Sequence, residues 1–418
     1  MHNFANAVRE SVEAQPKSIA IEDGDGQLTY RELWIRASQF AGGLREHDVA
    51  AGDVVAIALP NTIERVVSIL GSLRNGSVVV PVPTSADLDG TLSVMEDCDA
   101  DIAVVQADLV TGLLAGDHSF RAIVRVGDDE QLGFDFEAFT DTAGLHDFWE
   151  VIARDGTDPA VVFYGGRRTD PDVGVVYTNE TVHWNVETAV NAVPGGLSDD
   201  DTQVDVLPGF HAFSLVPVLF GTLVSGGTYV PVSDTSVEDT LERLAGETTV
   251  FHAVGQMYQE LAGADGFASL DASNLRVAGC LGGPFPPAVR DELVDAGCTE
   301  TYQSFGQTET GPIALWTDEA RGSGPDLLGR PVEGTEIRIL DEDGSDRPPV
   351  ASTDSAEAAD GHGELVVAGD GVMTGYHERP GLDDDRFSEI DGKRWVHTGV
   401  EATIDEDGRC YRVDPSWW

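Results

Sequence analysis

Between residues 53 and 281 the chain keeps returning to one pattern: a short unbroken apolar run, a turn, then apolar residues at helical spacing. Asp53-Val54-Val55-Ala56-Ile57-Ala58-Leu59 ends at Pro60-Asn61. Ile63, Val66, Val67, Ile69 and Leu70 then fall on one face of a predicted helix over 62–73. Ser77-Val78-Val79-Val80-Pro81-Val82 is the next strand, and the rhythm recurs at 101–105, 122–126, 228–232 and 277–280. A strand that is apolar on both sides needs cover on both sides, and alternation with helices supplies it. The pattern predicts parallel sheets flanked by helices on each face.

After about residue 325 the helices drop out. Thr335-Glu336-Ile337-Arg338-Ile339-Leu340 and the runs at 363–368, 394–398 and 409–413 are short strands separated by Gly and Asp turns such as Asp341-Glu342-Asp343-Gly344. They predict a small antiparallel barrel or curled sheet. Between its first two strands, Pro348 to Gly361 is rich in Pro, Ser, Ala and acid and reads as a mobile loop. A chain of 418 residues is also too long for one simple core. We expect an α/β region over residues 1–324 and a β-barrel region over 325–418.

Charge narrows the setting. There are 74 acidic against 25 basic residues, a formal net charge of −49, and the only lysines are Lys17 and Lys393. The acids are spread along the chain, densest in turns such as Ser198-Asp199-Asp200-Asp201 and Leu382-Asp383-Asp384-Asp385, which reads as a solvated surface. Dispersed carboxylates with almost no lysine predict a halophilic, cytoplasmic protein, since at molar salt the screening length falls to ~3 Å. Such a surface argues against nucleic acid or anionic lipid as partner. No apolar run approaches the ~18 residues of a membrane span, and the N-terminus lacks an export pattern. Cys98, Cys280, Cys298 and Cys410 lie far apart without metal-ligand spacing and read as buried free thiols.

From Phe4 to Asp414 the order of landmarks resembles the superfamily of acyl-CoA synthetases, luciferases and peptide-synthetase adenylation domains. Thr29-Tyr30-Arg31-Glu32-Leu33, Gly52-Asp53 and Pro60-Asn61 are similar to its N-terminal signature. Leu207-Pro208-Gly209-Phe210-His211-Ala212-Phe213 and Gly282-Gly283-Pro284-Phe285-Pro286-Pro287 follow, then Gln303-Ser304-Phe305-Gly306-Gln307-Thr308-Glu309. Gly329-Arg330-Pro331, Gly363-Glu364-Leu365, Gly375-Tyr376 and Trp395-Val396-His397-Thr398-Gly399 complete the series. The resemblance implies two doubly wound parallel-sheet subdomains plus a small antiparallel β-barrel, with the nucleotide where the three meet. It implies ATP, Mg and CoA as cofactors, and a small carboxylate or acyl group as ligand. The implied reaction is formation of an acyl-adenylate, then transfer to a thiol. A C-terminal domain supplies a lysine for the first step in the family; its hinge would fall near Trp418, so that domain is expected to be absent here.

The resemblance also assigns roles. Gly282, Gly283, Phe305, Gly306, Gln307 and Thr308 would line the nucleotide site, with Phe305 stacking on adenine and Thr308 touching phosphate. Glu309 would hold Mg, and Phe210 and His211 would border the acyl pocket. The matching phosphate loop, Tyr164-Gly165-Gly166-Arg167-Arg168-Thr169-Asp170-Pro171-Asp172-Val173-Gly174, keeps only Thr169 among its hydroxyls and puts Val173 where a lysine is usual. Each lost charge-assisted contact costs ~1.5–3 kcal/mol. Arg167 and Arg168 either grip phosphate or pair with Asp170 and Asp172. A ribose-binding carboxylate should follow His397-Thr398-Gly399, where this chain has Val400; Glu401 would point the other way on a strand. Lys17 and Lys393 sit in turns and read as surface charges. His211 is either an acyl-pocket residue or a hydrogen-bonded core histidine.

Three functions fit these residues. The first is a truncated, catalytically impaired homologue that retains at most nucleotide or acyl-ligand binding. The second is an active carboxylate–CoA ligase or acyl-adenylate synthetase completed by a partner chain carrying the C-terminal domain. The third is a non-catalytic acyl-ligand sensor or scaffold.

Overall fold

The computed structural model describes residues 2–413 apart from 25, 128–131, 142–149, 166–172, 234–235, 318–325 and 351–360. The alternation seen in the sequence is realised. Val54–Ala58 is a strand, and Thr62 then caps the helix Ile63–Asn75 by accepting from the Arg65 amide. Gly76, at φ +78°, closes that helix and turns the chain into Val78–Pro81, which pairs parallel with Val54–Ala58. In the first sheet the order is 375–376, 175–178, 159–163, 78–81, 54–58, 102–106, 122–126, 134–135. Its interior is parallel; 175–178 and 375–376 join antiparallel at one edge.

The second sheet runs in parallel through 228–231, 202–205, 250–253, 277–281 and 300–307. The strand 311–317 then folds back antiparallel on 300–307, and 327–331 follows it. The antiparallel strands 335–340, 363–369, 393–404 and 410–412 continue from there. The C-terminal β unit is thus present and is hydrogen-bonded into the second parallel sheet. One of its strands is longer than the run at 394–398 implied: Lys393–Ile404 passes through Gly399, at φ +64°, without ending. The loop expected to be mobile lies largely outside the described residues.

The Thr29–Glu32 signature has a local cause. Thr29 accepts from the Glu32 amide while the Glu32 carboxylate accepts from the Thr29 amide at 2.9 Å, a capping box on the helix Tyr30–Glu46. Tyr30, fully buried, donates to the Gly227 carbonyl at 2.8 Å and fastens this helix to the second sheet.

One acid of the run 199–201 is not on a solvated surface. Asp201 is buried, because Arg276 grips both its oxygens, Nε to Oδ1 at 2.7 Å and Nη2 to Oδ2 at 2.6 Å. Thr249 and the Ser198 amide also donate to it. Burial works to raise the Asp201 pKa, but these donors outweigh it and hold the carboxyl below its usual range. Arg276 further donates to the Pro194 and Gly196 carbonyls. We predict that Arg276→Ala lowers unfolding free energy by about 3 kcal/mol, because it strands a buried carboxylate. Urea unfolding in molar KCl would show this as a lower midpoint, and a change below about 0.5 kcal/mol would refute it.

Candidate functional site

At the carboxyl ends of the strands 277–281 and 300–307 the chain brings together segments far apart in sequence. Gly282, at φ +70°, leaves its strand and donates its amide to the Ser304 carbonyl at 3.1 Å. A Cβ at Gly282 would stand 3.4 Å from the Phe213 ring, so loop and ring meet closely. A Cβ at Gly165, also at positive φ, would stand 3.7 Å from the Phe210 ring. The Gly283 carbonyl accepts from Cys280 Sγ at 3.3 Å, so this glycine shapes the loop through its backbone.

His211 is partly exposed. Its ring stacks on Phe213 at 5.2 Å, and its Nδ1 accepts from the Phe213 amide at 3.2 Å. Since Nδ1 accepts, the proton of the neutral ring sits on Nε2. Burial pushes the His211 pKa down to about 4, so the ring is neutral near pH 7. The wide π-type helical turn Ser214–Phe220 follows at once, containing Pro217, which has no amide hydrogen to donate. Ser214 donates to the buried Asp205 carboxylate at 2.6 Å, and Tyr229 does so at 2.7 Å. The segment bearing Phe210 and His211 is therefore anchored from below.

The segment 303–309 forms the other wall. Phe305 is only 1% exposed and packs in the main core, so the ring expected to stack on adenine is covered by protein. Gly306 is required by the hairpin: a Cβ there would collide with the carbonyls of Gly311 and Pro312. Gln307 donates from Nε2 to the Thr398 carbonyl at 3.0 Å, while its buried Oε1 has no partner among the described residues. The Thr308 carbonyl accepts from the Tyr177 hydroxyl at 2.7 Å. Glu309 is buried, and its Oε1 accepts from Arg386 Nη2 at 3.0 Å and from the Tyr376 hydroxyl at 3.3 Å.

The resemblance implied a ribose-binding carboxylate at residue 400. Val400 is fully buried in the main core, and Glu401 is exposed, as strand alternation demands. Glu364 holds this stretch in place: its Oε1 accepts from the Gly399 amide at 2.7 Å and its Oε2 meets His397 Nδ1 at 2.9 Å. Thr169, with Arg167, Arg168, Asp170 and Asp172, lies outside the described residues. Val173 is buried in the main core. Lys17 is exposed, and exposed Lys393 pairs with Glu336, as surface charges should.

Arg386 is the site residue that sequence reasoning missed. Its partner Glu309 is 77 residues away, too far for any local pattern to join them. The one signal was chemical: an arginine ending the acidic run 383–385 in a chain with few bases. Among the described residues no group of three or more His, Cys, Asp or Glu side chains could hold a metal ion. All four cysteines are free and buried. No helix among the described residues is long and apolar enough to cross a membrane.

A family model described as AMP-binding enzyme matches residues 8–377. The chain belongs to this family. It is 29% identical over 408 residues to a feruloyl-CoA synthase from Amycolatopsis, covering 96% of this chain and 76% of that protein. It is 26% identical to a long-chain-fatty-acid–CoA ligase from Yersinia pestis, covering 93% and 72%. Among solved structures, an anthranilate CoA ligase in complex with anthranoyl-AMP superposes with a TM-score of 0.87 at 19% identity, over 98% of this chain and 77% of that one. An inhibitor-bound N-terminal domain from Mycobacterium tuberculosis superposes with a TM-score of 0.86 at 22% identity, over 99% of this chain and all of that one. These neighbours establish the AMP-binding α/β fold, with its mixed parallel and antiparallel sheets.

Two histidines, His252 fully buried and His211 partly so, make stability depend on pH. His252, fully buried, meets the Tyr302 hydroxyl through Nε2 at 2.6 Å, and burial pushes its pKa down to about 3. His211 and His252 both have folded pKa values below the usual ~6.5, so the unfolded chain binds more protons below that pH. Stability is therefore full above pH ~6.5 and falls as pH drops towards 4, by up to ~1.4 kcal/mol per unit for the fully buried His252 and by less for the partly exposed His211. Urea midpoints at decreasing pH would trace the slope, and His252→Gln should flatten it.

Proposed function

We propose that this chain is an acyl-CoA-synthetase-like AMP-binding protein impaired in activating carboxylates with ATP, which keeps a site for an acyl group, an acyl-adenylate or an adenine nucleotide. The observation that carries this reading is Val400: the side chain where a ribose-binding carboxylate is expected is aliphatic and sealed in the core. It cannot accept from a diol, and an unpaired buried hydroxyl costs about 1–3 kcal/mol. The phosphate loop adds a second deficit, since Tyr164–Gly174 offers Thr169 as its only side-chain hydroxyl besides Tyr164 and has no lysine. Phosphoryl transfer is mostly stabilisation of negative charge, so this is the chemistry most exposed to such losses.

The acyl side is better supplied. Phe213 meets the loop at Gly282, a neutral His211 stacks on Phe213, and Phe210 faces Gly165; these rings suit an apolar or aromatic acid. The relatives named feruloyl-CoA synthase and long-chain-fatty-acid–CoA ligase fit that chemistry. In this reading residues 1–324 bear the acyl wall, and 325–418 close the nucleotide side.

A second reading is a working carboxylate–CoA ligase using ATP, Mg and CoA together with a lysine-bearing C-terminal domain. It is favoured by the intact frame Gly282–Ser304 and Gln307–Thr398. Pyrophosphate release from MgATP, with aromatic and fatty acids in molar KCl, separates the two. We expect no carboxylate-dependent release above the protein-free rate. Steady release, alone or with an added lysine-bearing C-terminal domain, would overturn the first reading. Ligand-induced thermal shifts without turnover would instead fit a sensor or scaffold role.

A further inference from the structure

The carboxylate that the family resemblance assigns to magnesium already has a cation. Glu309 Oε1 takes Arg386 Nη2 at 3.0 Å and the Tyr376 hydroxyl at 3.3 Å, and Arg386 Nε donates to the same hydroxyl at 3.0 Å. The three groups form a closed triangle in which the phenol both accepts and donates. Burial, reinforced by Glu309, pushes the Tyr376 pKa up to about 12, so it keeps the proton that this pattern needs. Burial works against the Arg386 charge, but Glu309 outweighs it and the guanidinium pKa is raised. The side chains of Glu309 and Arg386 are 4% and 18% exposed.

Each corner is fixed by a different element. Glu309 sits in the turn of the hairpin 300–317, and its carbonyl accepts from the Met373 amide at 3.0 Å. Tyr376 pairs with Val175 in the first sheet, and its amide donates to Asp383 at 2.8 Å. Arg386 is the last residue of the short helix Pro380–Arg386. The triangle is therefore held by both sheets rather than by one mobile loop. A magnesium ion wants hard oxygen ligands around a nearly ideal octahedron. Here its carboxylate is shared, with a guanidinium at hydrogen-bond distance, and no group of three or more His, Cys, Asp or Glu side chains completes a set among the described residues. The residues present do not fit the metal.

We propose that Arg386 takes the place of the divalent cation: it closes Glu309 to metal and serves as the fixed positive charge facing a nucleotide phosphate. Among the described residues its Nη1 makes no hydrogen bond, which leaves a donor for one phosphate oxygen. One guanidinium suits the single phosphate of AMP or an acyl-adenylate better than a triphosphate. The phosphate contact rests on the nucleotide binding proposed above; the exclusion of metal does not.

Manganese serves as the metal probe, counted by loss of the free-ion resonance signal in molar KCl, without nucleotide. Wild type and Glu309→Gln should take up equal manganese, whereas Arg386→Gln should take up one more ion, lost again in the double variant E309Q/R386Q. Arg386→Lys, which keeps the charge, should behave as wild type and shows that any gain is not unfolding. A wild-type ion that disappears in Glu309→Gln would overturn the exclusion, as would an Arg386→Gln variant that folds and gains none. In a second arm, AMP affinity should be equal in chelator and in manganese, and fall at least 10-fold in Arg386→Gln. Metal-dependent AMP binding, or affinity untouched by Arg386→Gln, would overturn the phosphate contact. Failure of wild type to bind AMP under any condition would remove nucleotide retention and that contact together, while the manganese count still judges the exclusion.

Discussion

A carboxylate removed from water must find donors or a cation, or else take up a proton. That demand bears hard on a chain with 74 acids and 25 bases. Asp205 is met without an ion pair at contact: Ser214, Tyr229 and the Leu207 amide donate to it, with Arg65 close enough to favour its charge. Burial nevertheless dominates and raises its pKa. Asp201 takes Arg276, Glu309 takes Arg386, and Asp97 takes Arg379 together with the Tyr164 hydroxyl. Several of these contacts lie at the ends of strands or in the loops that frame the candidate site. The architecture around the candidate site is thus secured by polar side chains already engaged with one another.

That commitment bears on ligand chemistry. Arg379, bound to Asp97 beside Tyr164, reaches the start of the phosphate loop from the far side of the chain, yet its charge answers an aspartate. Arg65, beneath the loop that carries His211, donates to the Gly209 carbonyl. A triphosphate would have to compete with carboxylates and carbonyls for the same donors. An apolar acyl group makes no such demand, and the ring wall of Phe210, His211 and Phe213 would accept it at little electrostatic cost.

Local pattern made the parallel sheets legible, because an apolar run followed by helical spacing encodes a strand and its covering helix within a few dozen residues. One such helix, read over 62–73, runs to Asn75 between its caps Thr62 and Gly76. The strand 393–404 was under-read because Gly399 looks like a stop, whereas its φ of +64° and the Glu364 carboxylate on its amide let the strand go on. Asp201 was misplaced because an acidic turn looks solvated until the partner, 75 residues on, is known. Arg386 was invisible for the same reason. Side-chain pairing across a sheet has no sequence period, so neither contact could be found by counting.

The family landmarks divide into two kinds when their contacts are compared. Thr29 and Glu32 cap a helix, Gly306 lets two hairpin backbones approach, Gly282 turns a loop against Phe213, and Glu364 pins Gly399. Each would be needed by the fold whether or not a ligand ever bound. Val400, Val173 and the segment 164–174 are the positions that the resemblance, not any fold contact, ties to ATP, and at 400 and 173 this chain carries valine. Resemblance built on the first kind argues for shared architecture, and only the second kind bears on chemistry. Glu309 belongs to both kinds: the carboxylate persists, but what it binds is an arginine of its own chain. A motif residue can therefore keep its identity while its charge is turned from ligand to fold.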